Sequence, residues 1–308
     1  YNKFTWEDLS NKLRISQHSI RYGWLKKRNT LPLSLFKKLI SMHPDMDYNK
    51  FKGNLTLLEP FWGQKIGEKS KTEKFIKIPE INTNEFAEFY GIMLGDGCIY
   101  SNLNGLCISS NSIVDKNYIE NYISKLILNL FGIKPKIYYS KQAKAIRCVL
   151  YSRKIANYLV NLGFPKGKKI YGNLIIPKIF FKNLKLVGSC IRGINDTDGS
   201  ICPHPNTKIM LSISITSKPL LKSSINALKV LKIPAGNYNK GINMYGKDKL
   251  NLYFSLIGSS NLKHVLKYKT FIEKGYAPTN SEIENLLRED NFKISKLPYY
   301  DTGPWSSG

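Results

Sequence analysis

Two acidic, glycine-containing segments interrupt apolar stretches of the chain and are suited to act together. "FYGIMLGDG" spans residues 89–97 and "IRGINDTDG" spans residues 191–199, and each places an aspartate, Asp96 or Asp198, just before its last glycine. Carboxylates at the partly negative C-terminal ends of two adjacent helices repel each other unless a cation lies between them. Carboxylates with nearby carbonyl oxygens form the hard-oxygen site that Mg²⁺ prefers, and such an ion can activate water beside a phosphodiester.

Two further glycines, Gly91 and Gly193, lie inside the apolar part of each segment. A glycine within a helix costs about 1 kcal/mol relative to alanine, and close approach of another helix can offset that cost. We therefore expect the two helices to pack through these glycines about an approximate two-fold axis, so that Asp96 meets Asp198. A single Asp-Gly pair usually marks only a turn, but the matching places of these two weaken that interpretation.

The elements that must position these acids also occur twice. Residues 84–185 and 186–280 each read as an apolar helix ending in the acid, a strand, a second strand, a helix, a hairpin and a helix. "CISSNS" matches "SISITSK", and "VLYSRKIANYL" matches "LIGSSNLKHVL". The sequence therefore predicts an α+β fold of two related αββαββα units, each with a small antiparallel sheet.

One face of each predicted sheet is polar, basic and aromatic. "KIMLSISIT" (residues 208–216) and "KLNLYFS" (residues 249–255) both alternate apolar and polar residues, so we expect both to be strands with one open face. Such a face suits the grooves of DNA, although an ordinary solvated surface is the competing interpretation for any single residue. The side chains predicted to contact DNA from the sheets are Lys136, Tyr138, Lys141, Gln142, Lys144, Arg147, Lys208, Ser212, Ser214, Tyr238, Lys240, Lys249 and Asn251.

The overall charge favours a polyanionic partner. The chain has 47 Lys and Arg against 22 Asp and Glu, a formal net charge of +25. Lysines are spread along the chain rather than concentrated on one amphipathic helix, which favours nucleic acid over a membrane surface. We see no membrane span and no signal peptide, and the five cysteines lack C-x-x-C spacing, so we expect an intracellular protein with reduced cysteines.

Residues 1–44 read as short helices with the pattern of a helix-turn-helix. Thr5 and Ser16 are suited to cap two of them, and the second helix is rich in polar and aromatic residues. Its predicted DNA contacts are Gln17, His18, Arg21 and Tyr22. A structural three-helix unit with a solvated basic face is the alternative.

Two segments lie outside these units. Residues 45–83 are polar and rich in lysine, and we interpret them as a basic linker or loop layer. Residues 281–308 do not fit the duplication, and the sequence assigns them no role.

The two acidic segments resemble the paired motifs of monomeric LAGLIDADG homing endonucleases, over roughly residues 84–280. The front end is similar to accessory domains of some archaeal-type members. This resemblance implies a monomer of two units related by a pseudo-two-fold axis, whose motif helices form the central interface. It also implies that two four-stranded sheets make a saddle on a long double-stranded DNA site. Members cut both strands with divalent metal and leave 3′ overhangs.

The resemblance also implies roles for individual residues. Asp96 and Asp198 match the catalytic acids, and the carbonyls of Gly95 and Thr197 are expected to help hold Mg²⁺, for which Mn²⁺ or Ca²⁺ can substitute in binding. The family's water-orienting polar residues are expected at Asn111 and Ser217, and its lysines near the scissile phosphate at Lys154 and Lys218. The motif position that is Met93 in the first copy is Asn195 in the second, which either loosens the helix interface or adds a hydrogen bond to it.

Two alternatives remain open. A chain that keeps the fold without cleavage would be an RNA maturase or a DNA-binding regulator, although retention of both acids argues against a pure binder. An endonuclease insert of an intein is disfavoured, because the sequence shows neither a terminal His-Asn pair nor an upstream Cys or Ser splice start.

Overall fold

The computed structural model describes most of the chain, in ranges separated by short gaps. These ranges are residues 4–26, 30–59, 61–63, 65, 76–140, 142–169, 172–238 and 241–288. The chain divides into two compact units, Tyr1–Thr72 and Glu73–Gly308. Among the predicted DNA contacts, Lys141 and Lys240 lie outside the described residues, as does the side chain of Tyr238.

The N-terminal unit is helical. It contains α1 (Trp6–Leu13), a π-helical segment (Ser19–Trp24), α2 (Leu33–Ser41) and α3 (Tyr48–Lys52). Thr5 caps α1 as expected, in a reciprocal capping box with Asp8. The short helix α3 lies in the segment predicted to be a linker, and its two aromatic residues pack their rings edge-on against Phe36 of α2. The helical unit therefore extends beyond residue 44.

The second unit contains two four-stranded antiparallel sheets. The first sheet is formed by β1 (Gly97–Ile99), β2 (Leu106–Asn111), β3 (Lys136–Ser140) and β4 (Ala145–Leu150), in the order β1-β2-β4-β3. The second sheet is formed by β5 (Gly199–His204), β6 (Lys208–Ser214), β7 (Gly236–Tyr238) and β8 (Gly241–Tyr245), in the order β5-β6-β8-β7. The identical strand order and the alternating burial of β6 follow the predicted duplication and confirm the α+β fold class.

The helices of this unit follow the same repeated order. They are α4 (Asn84–Gly95), α5 (Ser124–Phe131), α6 (Arg153–Asn161), α7 (Leu184–Asp198), α8 (Lys218–Val230), α9 (Lys247–Leu256), α10 (Leu262–Lys274) and α11 (Asn280–Arg288). A π-helical segment, Tyr118–Ile123, leads into α5, and a 3₁₀ helix, Lys178–Lys182, precedes α7. The motif helices α4 and α7 are buried over most of their lengths in one continuous apolar core.

One predicted strand is wrong. "KLNLYFS" belongs to helix α9, so Lys249 and Asn251 do not lie on the open face of a sheet. The buried residues of this helix are Leu250, Tyr253 and Phe254, which are three and four positions apart and share one helical face, while Leu252 is only half-buried. Gly246, with φ 89°, turns the chain out of β8 immediately before α9 begins.

The segment to which the sequence assigned no role begins with a packed helix. Ile283 of α11 is fully buried and packs with Leu262 and Leu266 of α10 and with Val114. Residues 281–288 thus cover an apolar patch of the second unit, while residues 289–308 lie outside the described part of the chain.

Candidate active site and nucleic-acid interface

The two motif helices approach each other through their glycines. A Cβ atom on Gly91 would overlap the carbonyl oxygen of Cys190, and one on Gly193 would overlap that of Glu88. Backbone atoms cannot move aside as a flexible side chain can, so only glycine permits this separation. The predicted packing of the helices through Gly91 and Gly193 is confirmed.

This packing brings the two acids together at the ends of the helices. Asp96 directly follows α4 and Asp198 is the last residue of α7. A Cβ atom on Gly95 would overlap the hydroxyl of Thr197 and lie 3.4 Å from Oδ2 of Asp198. Burial and the nearby charge of Asp198 raise the pKa of Asp96 to about 7, and burial raises the pKa of Asp198 to about 6. The carboxyls therefore meet in a partly desolvated place where a cation would stabilise their ionised forms.

A lysine that the sequence analysis did not select lies at this place. Nζ of Lys169 is 3.1 Å from the carbonyl oxygen of Leu94 and 3.4 Å from that of Met93, and it also bonds the carbonyl of Gly95. Burial lowers the pKa of Lys169, while the charges of Asp198 and Asp96 act in the opposite direction. The ammonium thus caps the C-terminal end of α4 beside both acids.

The loop that carries Lys169 is anchored to the first sheet. The amide of Gly167 donates to the carbonyl of Ile99 at 2.8 Å, and Lys166 forms a bridge with the same residue. The sequence signal was the basic, glycine-containing stretch "GFPKGKK" (residues 163–169) between the two units. A contact that spans 74 positions, from Lys169 to Gly95, cannot be found from local spacing alone.

A cavity of about 290 Å³ opens beside Asp198. Its lining includes Gly95, Lys169 and Ser217 together with the last residues before α8. Ser217 also caps α8, because its hydroxyl accepts from the amide of Leu220 at 3.4 Å. One acid, one lysine and three hydroxyl-bearing residues, Ser214, Thr216 and Ser217, therefore line a space large enough for small ligands or water.

The surroundings of Asp96 differ from those of Asp198. The charges of Asp115 and Lys263 act on Asp96, and these two side chains form an ion pair with 2.7 Å between Oδ1 and Nζ. The amide Nδ2 of Asn261 donates to Asp115 at 2.8 Å and to the carbonyl of Asp196 at 3.0 Å. On this side an amide group, rather than an ammonium, reaches one carbonyl near the end of α7, that of Asp196.

Asp196 has a local structural role. Its carboxylate accepts from the hydroxyl of Ser259 at 2.5 Å and from the amide of Ser260 at 2.7 Å, so it fixes the turn before α10. Burial raises the pKa of Asp196 to about 7, and these two hydrogen bonds oppose that shift. Asp196 therefore supports the fold locally, unlike Asp198 two residues later.

The residues expected to orient water are not brought to the acids by hydrogen bonds. The side-chain oxygen of Asn111 accepts from the amides of Ile113 and Val114, which closes a turn after β2. Gly97 pairs with Ile108 in the first sheet and Gly199 with Ile213 in the second, so the counterpart of Asn111 is Thr216 rather than Ser217. The assumed alignment was therefore shifted by one residue.

The side chains of the two predicted lysines are not hydrogen-bonded or ion-paired to the acids. Lys154 and Lys218 are exposed, and within the described ranges neither makes a hydrogen bond or an ion pair. Among the described lysines, the charge of Lys169 acts on both acids and that of Lys263 acts on Asp96.

The donor set at the helix ends fits a hard divalent cation. It consists of two carboxylates and the C-terminal carbonyls of two helices, which are the oxygen ligands that Mg²⁺ and Ca²⁺ prefer. The hydroxyl of Thr197 donates to the carbonyls of Gly193 and Ile194, which leaves its own carbonyl as the candidate ligand. Lys169 already places a positive charge on the carbonyl of Gly95, so this position accepts a cation. Among the described residues, no three His, Cys, Asp or Glu side chains converge into another metal site.

The open face of the first sheet carries an exposed basic and aromatic group. Arg147 lies between Ser109 and Tyr138 in the register of β2, β4 and β3, and Lys136 and Tyr138 are exposed on β3. Tyr138 forms a side-chain hydrogen bond with Tyr151, which raises the pKa of Tyr151. Gln142 and Lys144 are exposed in the turn that joins β3 to β4.

The open face of the second sheet has smaller polar groups. Lys208 and Ser214 are exposed and Ser212 is half-buried, as the alternation of β6 predicts. Asn243 lies opposite Ser212 and donates to the hydroxyl of Tyr245 at 3.0 Å. The two faces therefore offer different chemistry to a ligand.

In the N-terminal unit the four predicted contacts, Gln17, His18, Arg21 and Tyr22, are all exposed. The rings of His18 and Tyr22 stack with 5.0 Å between their centroids. Arg21 lies over the rings of Trp6 and Tyr22, each 5.7 Å from the guanidinium carbon, and Lys26 lies over Tyr22. This exposed group of cationic and aromatic side chains suits a nucleic-acid backbone.

The cysteines and the helices give two further observations. All five cysteines are free, and Cys107, Cys148 and Cys190 are buried. In the described part of the chain, no helix has the length and apolar character needed to cross a bilayer.

Comparison with known proteins gives partial matches. No family model matches the chain. Among curated proteins, an A-type ATP synthase component from Pyrococcus horikoshii is 30% identical over 95 residues, which are 31% of this chain. The chain spans only 9% of the length of that relative.

Solved structures that are similar to the chain include LAGLIDADG proteins, at low identity. The crystal structure of I-DmoI in complex with DNA and Ca has a TM-score of 0.36 and 20% identity, covering 52% of this chain and 80% of that chain. Full-length DUF199/WhiA from Thermatoga maritima has a TM-score of 0.42 and 15% identity, covering 73% of this chain and 80% of that chain. The N-terminal LAGLIDADG domain of DUF199/WhiA has a TM-score of 0.39 and 14% identity, covering 65% and 91%.

Proposed function

We propose that this chain is a site-specific double-strand DNA endonuclease of the homing type, which hydrolyses phosphodiesters with divalent metal and leaves 3′ overhangs. The observation that carries this proposal is the meeting of Asp96 and Asp198 at the ends of two buried helices. Structural needs alone do not explain two mutually repelling carboxyls in a partly desolvated place. Two sheets with polar open faces and a net charge of +25 supply the surface for DNA.

The proposed roles at the site follow from its donors. Asp96 and Asp198, with the carbonyls of Gly95 and Thr197, would hold Mg²⁺, which when bound supplies charge neutralisation and an acidified water. With its ammonium bonded to carbonyls in the last turn of α4, Lys169 would place a positive charge beside both acids and the phosphate. The buried helices hold these groups in fixed positions, as precise hydrolysis requires. Asn111 and Ser217 remain proposals for orienting water, and Lys154 and Lys218 for contacts near the scissile phosphate.

The proposed partner is a long double-stranded DNA site bound by a monomer with internal pseudo-two-fold symmetry. Its two sheets would lie as a saddle in the major groove, with lysines and arginines on phosphates and polar side chains on base edges. The N-terminal unit would add contacts through His18, Arg21 and Tyr22. With its cysteines free, we place this activity inside the cell.

A second function retains the fold without cleavage. Lys169 already neutralises part of the acidic site, so the helix ends can pack without any metal. A chain of this kind would be a DNA-binding regulator or an RNA maturase, and its sheets would still bind nucleic acid.

Selection followed by cleavage separates these functions. A randomised duplex library is incubated with the full chain in Ca²⁺, bound duplexes are sequenced, and the enriched duplex is then exposed to Mg²⁺ or Mn²⁺. We expect cutting of both strands by the wild type, with Asp96→Asn and Asp198→Asn binding the same duplex but leaving it intact. An enriched duplex that the wild type binds but never cuts assigns the chain to the regulators. Enrichment of RNA alone, in a parallel transcript library, assigns it to the maturases.

A further inference from the structure

The two halves of the candidate site differ in the groups to which their lysine side chains are bound. In the half with Asp198, the ammonium of Lys169 bonds the carbonyls of Met93, Leu94 and Gly95 and lies in the same cavity as the acid. We refer to this as the Asp198 half. It contains a cation bound directly to a carbonyl that belongs to the candidate metal-ligand set.

The other half, around Asp96, has a lysine that is bound elsewhere. Nζ of Lys263 lies 2.7 Å from Oδ1 of Asp115, and the amide of Asn261 bonds both Asp115 and the carbonyl of Asp196. We refer to this as the Asp96 half. Its lysine is neutralised by its own carboxylate, and no ammonium is hydrogen-bonded to a described carbonyl in the last turn of α7.

A bound ammonium and a divalent ion compete for the same oxygen atoms. The Lys169 ammonium has three donors and bonds three carbonyls, so its departure would leave the end of α4 uncapped. A divalent ion at the Gly95 carbonyl would also lie a few ångström from that positive charge, and like charges at such distances repel strongly when partly desolvated. In the Asp96 half a divalent ion would displace no ammonium from a described carbonyl in the last turn of α7, and the charge of Lys263 is already paired with Asp115.

We propose that Lys169 is the resident cation of the Asp198 half, so that the chain binds one divalent ion, in the Asp96 half, rather than two. This inference rests on the proposed metal-dependent function and specifies its stoichiometry. Lys169 is then a positioning residue for Asp198 and Gly95 that takes the place of a second ion. It also makes the two half-sites unequal toward the two DNA strands.

Titration of the full chain with Mn²⁺ alone, followed by electron paramagnetic resonance of the free ion, tests this stoichiometry. The wild type should bind one ion, and Lys169→Met should bind a second, with an affinity at least about tenfold higher than any second ion in the wild type. Lys169→Arg keeps the charge and should bind one ion. Lys168→Met removes the exposed neighbouring charge and should also bind one ion. Thermal melting of each variant establishes that it is folded.

Each outcome decides between the alternatives. Two equal ions in the wild type, no second ion in folded Lys169→Met, or a second ion in Lys169→Arg overturns the resident-cation proposal and leaves the nuclease proposal intact. No Mn²⁺ binding by any variant overturns both proposals. A second ion in Lys169→Met but in neither Lys169→Arg nor Lys168→Met supports the inference.

Discussion

Arg192 and Glu88 form a buried ion pair between the two motif helices, with 2.6 Å between Nη2 and Oε2. The side chains are only 9% and 2% exposed. Glu88 also accepts hydrogen bonds from the hydroxyls of Tyr122 at 2.8 Å and Ser260 at 2.6 Å. One buried carboxylate therefore accepts from three side chains, Tyr122 of the first repeat and Arg192 and Ser260 of the second. Because Asp96 corresponds to Asp198, Glu88 corresponds to Cys190 in the second repeat and Arg192 corresponds to Tyr90 in the first. Cys190 and Tyr90 cannot form an equivalent ion pair.

Removing the arginine alone should strongly destabilise the fold. Arg192→Met leaves the charge of Glu88 buried without its cation, which we expect to lower the free energy of unfolding by about 3–5 kcal/mol. The double variant Glu88→Met with Arg192→Met removes both charges and should recover much of that loss. Urea unfolding followed by circular dichroism measures both effects. Equal losses in the single and double variants would contradict this account.

An exposed ion pair provides the control for that measurement. Lys65 and Glu59 are 2.6 Å apart, with side chains 57% and 73% exposed. Lys65→Met should leave stability unchanged within error, because water and salt screen an exposed pair.

The glycine contact predicts a steric effect. Gly193→Ala would place a Cβ atom against the carbonyl of Glu88 and 3.0 Å from the carbonyl carbon of Gly91, both backbone atoms. We expect the helices to separate, with a loss of about 1–3 kcal/mol or more and reduced DNA cleavage, since Asp96 and Asp198 then move apart. Gly236→Ala is the matched control, because its nearest atom would be the Asn243 carbonyl oxygen at 3.6 Å. If the two variants unfold at the same urea concentration, close packing at Gly193 is not needed.

The residues that could be predicted from the sequence are those that occur at matching positions in both repeats or act on their neighbours in the chain. Gly91, Gly193 and the two acids stand in matching places, so their juxtaposition followed from the duplication. Helix α9 could not be distinguished from a strand, because Leu250, Leu252 and Phe254 alternate as in a strand while Leu250, Tyr253 and Phe254 follow the spacing of a helical face. Lys169 could not be found from local spacing, because the carbonyls that it contacts lie 74 to 76 positions away in the sequence. Contacts that do not follow from the duplication, such as those of Lys169, therefore became visible only in the structure.

The raised pKa values at the site predict a pH effect on stability. Burial and the charge of Asp198 raise the pKa of Asp96 to about 7, and burial raises that of Asp198 to about 6, against about 3.9 in an unfolded chain. Between these values the folded state binds more protons, so the stability that both carboxyls contribute below pH ~4 is lost as pH rises through 6 and 7. Relative to the wild type, Asp96→Asn and Asp198→Asn should therefore gain stability as pH rises from about 4 to 8.

This pH effect is measured on the metal-free protein as a difference between variants. Burial lowers the pKa of His264 to about 3, which gives an opposite slope below pH ~6.5 in every variant and cancels in the difference. Burial also raises the pKa of Asp196 to about 7, and that contribution cancels in the same way. A difference in unfolding free energy that does not change with pH would show that neither acid titrates as described.

The N-terminal unit should contribute nonspecific, salt-dependent affinity for DNA. Arg21 is exposed and lies over the rings of Trp6 and Tyr22, so its charge is available to a phosphate. Arg21→Ala should weaken binding to any duplex and lower the slope of log affinity against log salt by about 1. Fluorescence anisotropy at several salt concentrations measures the slope. Lys12→Ala, which removes a lysine that lies over Phe4, is the charge-matched control and should change the slope less if the contact is local to Arg21.

Asn195 is the residue whose replacement should improve the fold. It is fully buried in α7, and in the described part of the chain neither atom of its side-chain amide has a hydrogen-bond partner. A buried amide without partners costs about 1–3 kcal/mol, and the matching position in α4 is the apolar Met93. Asn195→Leu should therefore raise the urea midpoint without changing the slope of the transition, while cleavage of the selected duplex is retained. A lower midpoint would show instead that a buried water satisfies the amide, because leucine would displace that water without replacing its hydrogen bonds.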